Sequence, residues 1–387
     1  MQGNTFGRAF RVTAAGESYG VALTAIVDGV PPGIKITKRM IQDELDKRRP
    51  GQSKLDSPRK ETDQCEIISG VREGNLTSGA PVTIVIYNVD TQEKHVNQYR
   101  EVKDLIRPGH AEITFQMKYG SYADWCGAGR ASGRETTGRV MGGAVAKQIL
   151  KREGIDVLAH AVELHGIKSD TVLSYDDIKK NYRKNEINCC DDARAQQMIE
   201  EIIKIKKDGD TAGGVIEVIV HGLPGGLGEP VFDKINATIA HALFSIGAVK
   251  GVEFGVGFKC AQMTGSEFND IMQFNDNGTL YFKSNNAGGT LGGISTGQDL
   301  RIRVAVKPTP TVSIAQDTVN THDWKNTKLE AITRRDPTLI PRIQPVAEAM
   351  VRIAVLDALY MTYGYDHFCR IDDKFKKVRF GVTTEEK

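Results

Sequence analysis

The chain has 387 residues and nearly balanced charge, 51 Lys and Arg against 49 Asp and Glu, for a formal +2. That excludes the basic excess on which an electrostatic nucleic-acid binder relies, while 40% hydrophobic and 26% charged residues describe a core-forming chain. No apolar run approaches the ~18 residues of a membrane span, the N-terminus lacks an apolar signal core, and six scattered cysteines without C-x-x-C spacing make neither a disulfide scaffold nor a zinc site. These features predict a reducing cytoplasm and no metal.

Taken in chain order, residues 22–27 form the first expected strand, closed by Asp28-Gly29 and Pro31-Pro32. The β-branched run 82–87 is the second. Over 134–151 Met141, Val145 and Ile149 recur at helical spacing. The stretch from about 169 to 210, rich in Lys, Asp and Asn, reads as a solvated helix-loop excursion from a single domain. Residues 215–220 are again strand-like, and 231–246 carries an apolar helical stripe of Ile235, Ile239, Leu243 and Ile246. From 300 to 307, Leu300, Ile302, Val304 and Val306 alternate with Arg301, Arg303 and Lys307, the pattern of a half-buried strand. The segment 345–361 is apolar nearly all round, as a helix deep in a core or at a subunit contact would be. Antiparallel-type strands mixed with long buried helices favour α+β layers over a doubly wound parallel sheet.

Familiar nucleotide signatures are missing: neither a P-loop nor a G-x-G-x-x-G between strand and helix occurs, and no nucleophile elbow or H-E-x-x-H is present. What recurs instead is glycine, 40 residues, in loops dense with Ser and Arg. They are Gly16-Glu-Ser-Tyr-Gly20, Lys47-Arg-Arg-Pro-Gly-Gln-Ser-Lys54, Arg107-Pro-Gly-His110, Gly127-Ala-Gly-Arg-Ala-Ser-Gly-Arg134, 285–297 and Arg334-Arg-Asp-Pro337. A glycine-rich turn entering a helix presents free N–H groups to an anion. Guanidiniums such as Arg130 and Arg134 add forked donors matched to phosphate or carboxylate. The residues therefore point to an enzyme site for a multiply anionic small molecule. A nucleic-acid module built on Lys47, Arg48 and Arg49 with Arg59 and Lys60 is the rival class, but it lacks aromatics patterned for base stacking.

These loops, together with Gly3-Asn-Thr-Phe-Gly, Asp63-Gln64, Gly225-Gly-Leu-Gly-Glu-Pro230, Ala248-Val-Lys-Gly-Val252 and Lys307-Pro-Thr, run in the order seen in the chorismate synthase family, which the chain resembles from residue 3 to about 361. The resemblance implies a single-domain β-α-β sandwich, with helices packed between antiparallel sheets and unrelated to Rossmann or flavodoxin folds, usually a homotetramer. It implies a lyase of the shikimate pathway and aromatic amino-acid biosynthesis. Such an enzyme eliminates phosphate from 5-enolpyruvylshikimate 3-phosphate with reduced FMN and no net redox change; NADPH enters only if the protein is bifunctional. By position, Arg48, Lys54, Arg107, Arg134 and Arg342 resemble the ligands of substrate anions. FMN contacts fall on Arg130, Ala131, Ser132, Gly247, Ala248, Gly292, Lys307, Pro308, Thr309, Pro310, Thr311 and Arg334. His110 resembles the histidine beside the flavin, Asp336 the carboxylate placed to receive the C6 proton by way of the flavin, and Ser18 and Ser132 hydroxyls near the site.

Three positions depart from the family pattern, which places histidine at each: Tyr19, Asn286 and Arg335. The histidine that Tyr19 replaces is the acid for the departing phosphate. A phenol, with its pKa near ~10, donates a hydrogen bond there but is a poor proton source at neutral pH. The surviving arginines, His110 and Asp336 favour a working enzyme over an impaired or repurposed relative that only binds FMN or a phosphorylated ligand.

Overall fold

Two five-stranded antiparallel sheets face each other across a layer of helices. A computed structural model describes residues 3–51, 62–89, 93–169, 171–330 and 336–369. The first sheet runs Thr5–Phe6, Arg11–Ala15, Ala22–Asp28, Val82–Tyr87, Cys65–Ser69 in spatial order. Its register sets Leu23, Ala25 and Val27 opposite Ile86, Ile84 and Val82, so one face is wholly apolar and buried. The second sheet runs Val249–Phe254, Leu300–Val306, Gly214–His221, Asp156–Leu164, Ile167–Lys168. Here Val218 lies between Ile302 and Ala159, and Val220 between Leu300 and Val157.

The helices Lys38–Arg48 and Thr136–Arg152 cover the first sheet; Ile235–Phe244 and Ile340–Tyr363 cover the second. Two glycines let the layers close. A Cβ on Gly142 would lie 2.7 Å from the Val12 methyls, and one on Gly143 would lie 2.3 Å from the Ala349 Cβ. The Thr136–Arg152 helix thus touches a strand on one side and the last helix on the other.

The architecture agrees with the expected sandwich, but two helix bounds differ. The residues 231–234 precede the Ile235–Phe244 helix, with Val231 and Phe232 exposed, because the chain is still extended at Lys234 (ψ 143°). The last helix begins five residues before Pro345, at Ile340. Pro341 sits in its first turn, where the missing N–H costs nothing, and Pro345 is carried inside the helix. That earlier start puts Arg342 on the first turn. Residues 169–210 hold the helices Tyr175–Asn181 and Asp192–Lys207, whose Ile178, Met198 and Ile202 are fully buried.

A buried ionic hub ties the layers. Arg352 donates to Glu44 Oε2 at 2.8 Å and to Glu348 Oε2 at 2.9 Å, while Lys47 and Lys147 reach Glu44 Oε1 at 2.7 and 2.8 Å. Burial pushes the Glu44 carboxyl upward, but Arg352, Lys47 and Lys147 outweigh it and hold the group well below the usual range. Tyr182 donates to Glu348 Oε1 at 2.8 Å from the 169–210 segment. At the far end of the same helix, Asp357 Oδ1 accepts the backbone N–H of Arg8, Ala9 and Phe10 at 2.9, 2.7 and 2.9 Å.

Candidate active site

The helix Lys38–Arg48 starts on the Thr37 hydroxyl, which accepts from Met40 N–H, and delivers Arg48 at its last turn. Arg134 sits in the 3-10 turn Gly133–Glu135 that leads into Thr136–Arg152, with Ser132 as its cap. Asp63 joins them: Oδ2 accepts from Arg48 Nη2 at 2.5 Å and Oδ1 from Arg134 Nη1 at 2.7 Å. Arg342 donates from Nε to the Arg48 carbonyl at 3.2 Å and from Nη1 to Asp336 Oδ2 at 2.6 Å. Arg48 and Arg134 are only 2% and 7% exposed. Burial raises the Asp63 carboxyl, but the two guanidiniums more than offset this and its pKa ends below the ordinary value. Burial lowers Arg48, and the neighbouring Arg342 and Arg134 charges push it further down against the pull of Asp63.

A second cluster adjoins the first. Arg107 Nε donates to Glu112 Oε1 at 2.8 Å, and its backbone N–H to Oε2 at 3.0 Å. His110 Nδ1 lies 3.9 Å from Glu112 Oε1, buried and without a hydrogen-bond partner among the described residues. Burial first, then the Arg107 and Lys307 charges, draw its pKa down from 6.5 to about 4, with Glu112 opposing. The imidazole is therefore neutral at pH 7. Lys307 Nζ donates to the Gly109 carbonyl at 2.5 Å, and Lys307 N–H to the carbonyl of Ala248 at 3.0 Å. Ala248 adopts a left-handed φ of 75°. Thr309 donates to the Asp336 carbonyl at 2.7 Å, which joins this cluster to the first, and Pro310 packs near the Cα of Gly109.

The 16–20 turn closes a third side. Asn88 Nδ2 donates to the carbonyls of Glu17 and Gly20 at 3.0 and 2.7 Å, and its Oδ1 accepts from Arg134 Nε at 2.7 Å. The Ser132 and Ser18 hydroxyls are 3.3 Å apart. The Tyr19 ring crosses Gly127, where a Cβ would come within 2.4 Å of it, and meets Tyr99 edge-on at 5.3 Å. Tyr19 also lines a cavity of about 330 Å³ with Glu17, Arg100, Asp124 and Trp125.

The structure thus links Arg48, Arg134, Arg342, Asp336, Ser18 and Ser132, and through Thr309 and Lys307 also Ala248 and the Arg107–His110 turn. Gly247, Pro308, Pro310 and Thr311 adjoin these in the chain, and Tyr19, beside Ser18, opens onto the 330 Å³ cavity. Arg130 and Gly292 are placed differently. Arg130 turns to the Asn4 side-chain oxygen, and Gly292 lines a separate cavity of about 390 Å³ with Lys234, Asn236 and Phe268. Ala131, half-buried, precedes Ser132 on the same turn. Asn286 uses its amide on the Glu267 and Phe268 carbonyls at 3.2 and 3.1 Å. Lys54, Arg59, Lys60, Arg334 and Arg335 lie outside the described residues. Reading the residues alone passed over Asn88 and Glu112. Glu112 follows Arg107 at i+5 and was findable as the first acid after it, opening the Glu112–Tyr119 helix; Asn88, distant in sequence from all its partners, carried no signal.

The chain is similar to known proteins over nearly all its length. A family model described as chorismate synthase matches residues 10–360. A chorismate synthase of Acetivibrio thermocellus is 56% identical over 380 residues, covering 94% of this chain and 96% of the relative. One from Methanococcoides burtonii is 49% identical, covering 95% and 98%. A crystal structure of chorismate synthase superposes with a TM-score of 0.73 at 29% identity, covering 92% of this chain and 94% of the other.

Proposed function

This chain belongs to the chorismate synthase family, and on that premise we propose that it is a carbon–oxygen lyase. It converts 5-enolpyruvylshikimate 3-phosphate to chorismate and phosphate by 1,4-anti elimination, with reduced FMN bound and no net redox change. The observation that supports this reading is the convergence of Arg48, Arg134 and Arg342 on Asp63 and Asp336, next to a half-buried, neutral His110. A leaving phosphate and two substrate carboxylates need donors that stay charged and aligned, and guanidiniums in a water-poor corner provide both.

The residues also fit a flavin. His110 Nδ1 is an orphaned polar atom, Lys307 and Arg107 lie beside it, and the Ala248 backbone turns left-handed against Lys307. Gly247, Ala248, His110 and Lys307 to Thr311 would hold the group. The chemistry that bound reduced FMN supplies is transient electron density for the allylic system as the C–O bond breaks. His110, neutral in its surroundings, would turn its unpaired Nδ1 to the bound group, and an anion placed against it would raise its pKa toward proton uptake. Asp336, steadied by Arg342, receives the C6 proton. Arg48, Arg134 and Arg342 bind and orient the anionic groups, and Tyr19 with the Ser18 and Ser132 hydroxyls donates to the departing phosphate. A cytoplasmic homotetramer goes with the same reading, and NADPH with it only where the chain reduces its own flavin.

An anaerobic assay with dithionite-reduced FMN and 5-enolpyruvylshikimate 3-phosphate tests it. Chorismate absorbance should rise with equimolar phosphate release; no chorismate under these conditions would sink the proposal.

A further inference from the structure

Three guanidiniums in one buried corner repel one another, so an anion site of this kind must be held in shape from within. The Asp63 side chain, with no exposed area, lies between Arg48 and Arg134 and gives one oxygen to each, at 2.5 and 2.7 Å. It is itself fixed. Its backbone is left-handed, with φ 45°, and its carbonyl accepts from Gln42 Nε2 at 3.2 Å, while Gln42 Oε1 accepts from Cys65 N–H at 3.1 Å. Each arginine has a second anchor as well: Arg48 Nη1 donates to the Gly133 carbonyl at 3.1 Å, and Arg134 Nε to Asn88 at 2.7 Å. Both oxygens of the carboxylate thus meet arginines that are anchored elsewhere.

We propose that Asp63 is a positioning residue, a built-in carboxylate that holds Arg48 and Arg134 in register for the substrate's anionic groups while weakening their grip on any anion in the ground state. The inference rests on the function proposed above and names how its anion site is tuned. A unit negative charge in contact with both guanidiniums lowers the positive potential an incoming anion meets. The same charge keeps the forks aligned, and alignment is what stabilises charge as it develops on the leaving group. Ground-state affinity and turnover are therefore set against each other at this residue.

Two variants separate charge from geometry. Asp63→Asn removes the charge. Inorganic phosphate, titrated calorimetrically into flavin-free protein, should bind about tenfold more tightly than to wild type, while kcat falls at least about tenfold. Asp63→Glu keeps the charge one methylene out of place, so phosphate affinity should stay within about twofold of wild type while kcat falls. A scaffold role alone predicts parallel losses of phosphate affinity, kcat and thermal midpoint, and that pattern would overturn the inference. So would an Asn variant with wild-type phosphate affinity, or one with wild-type turnover. If the Asn variant does not fold, the Glu variant decides, and wild-type kcat there refutes the positioning role. The calorimetric arm needs no catalysis. A wild-type protein that makes no chorismate defeats the proposed function, while the phosphate titration still judges Asp63.

Discussion

His110 shows how far surroundings decide what a side chain can do. With its pKa drawn from 6.5 to about 4 by burial, Arg107 and Lys307, the native protein resists a proton that the unfolded chain accepts. Between those two pH values the unfolded state binds more protons, so stability falls as pH drops through the window and is level above it. The shift corresponds to about 3 kcal/mol. His110→Asn should remove that slope, read as denaturant midpoints at pH 4.5 and pH 7 that differ less than in wild type. Tyr19 makes a second prediction. If its hydroxyl bonds the departing phosphate, Tyr19→Phe should slow phosphate release by about tenfold, the worth of one good hydrogen bond. Unchanged release would take the phenol out of the mechanism. Arg48, Arg107, Arg134, His110 and Asp336 were all legible in short motifs, because each motif is a local turn whose chemistry is written in adjacent letters, whereas Arg342, on the Ile340–Tyr363 helix, came only with the family resemblance. Asn88 was not, since its partners Glu17, Gly20 and Arg134 meet it only after the first sheet and the helix behind it have assembled.

Among the elements, alternation made the strands readable: Leu300–Val306 is buried at every second residue, as its sequence requires. Helix bounds were harder, because proline is read as a boundary and the last helix contains two. Spacing between elements was invisible altogether, for it depends on which glycine faces which neighbour. Gly143 tests this. Alanine is the better helix former by about 1 kcal/mol, yet its Cβ would sit 2.3 Å from that of Ala349. Overpacking of this kind costs about 1–3 kcal/mol. Gly143→Ala should lower the denaturant midpoint, and adding Ala349→Gly should recover part of the loss.

For the molecule as a whole, the ionic hub joins elements that no local pattern connects. Glu348 receives Arg352, Tyr182 and the backbone N–H of Ala159. Glu348→Ala would leave Arg352 with Glu44 as its remaining carboxylate and strand the Tyr182 hydroxyl and the Ala159 N–H, at a cost of about 1–3 kcal/mol for each buried group left unpaired, seen as a fall in thermal midpoint. The Asp357 clamp carries a consequence in time. The turn at Arg8–Phe10 is secured by a carboxylate almost 350 positions later in the chain, and the guanidinium of Arg342 is on the same late helix. As a ribosome translates the message, the earliest strands emerge and can pair with one another long before the helix that clamps their first turn is made. The finished pocket can therefore arise only after elongation has passed the final helix, and a nascent chain stalled before that point should be cut readily by protease where the released protein is not.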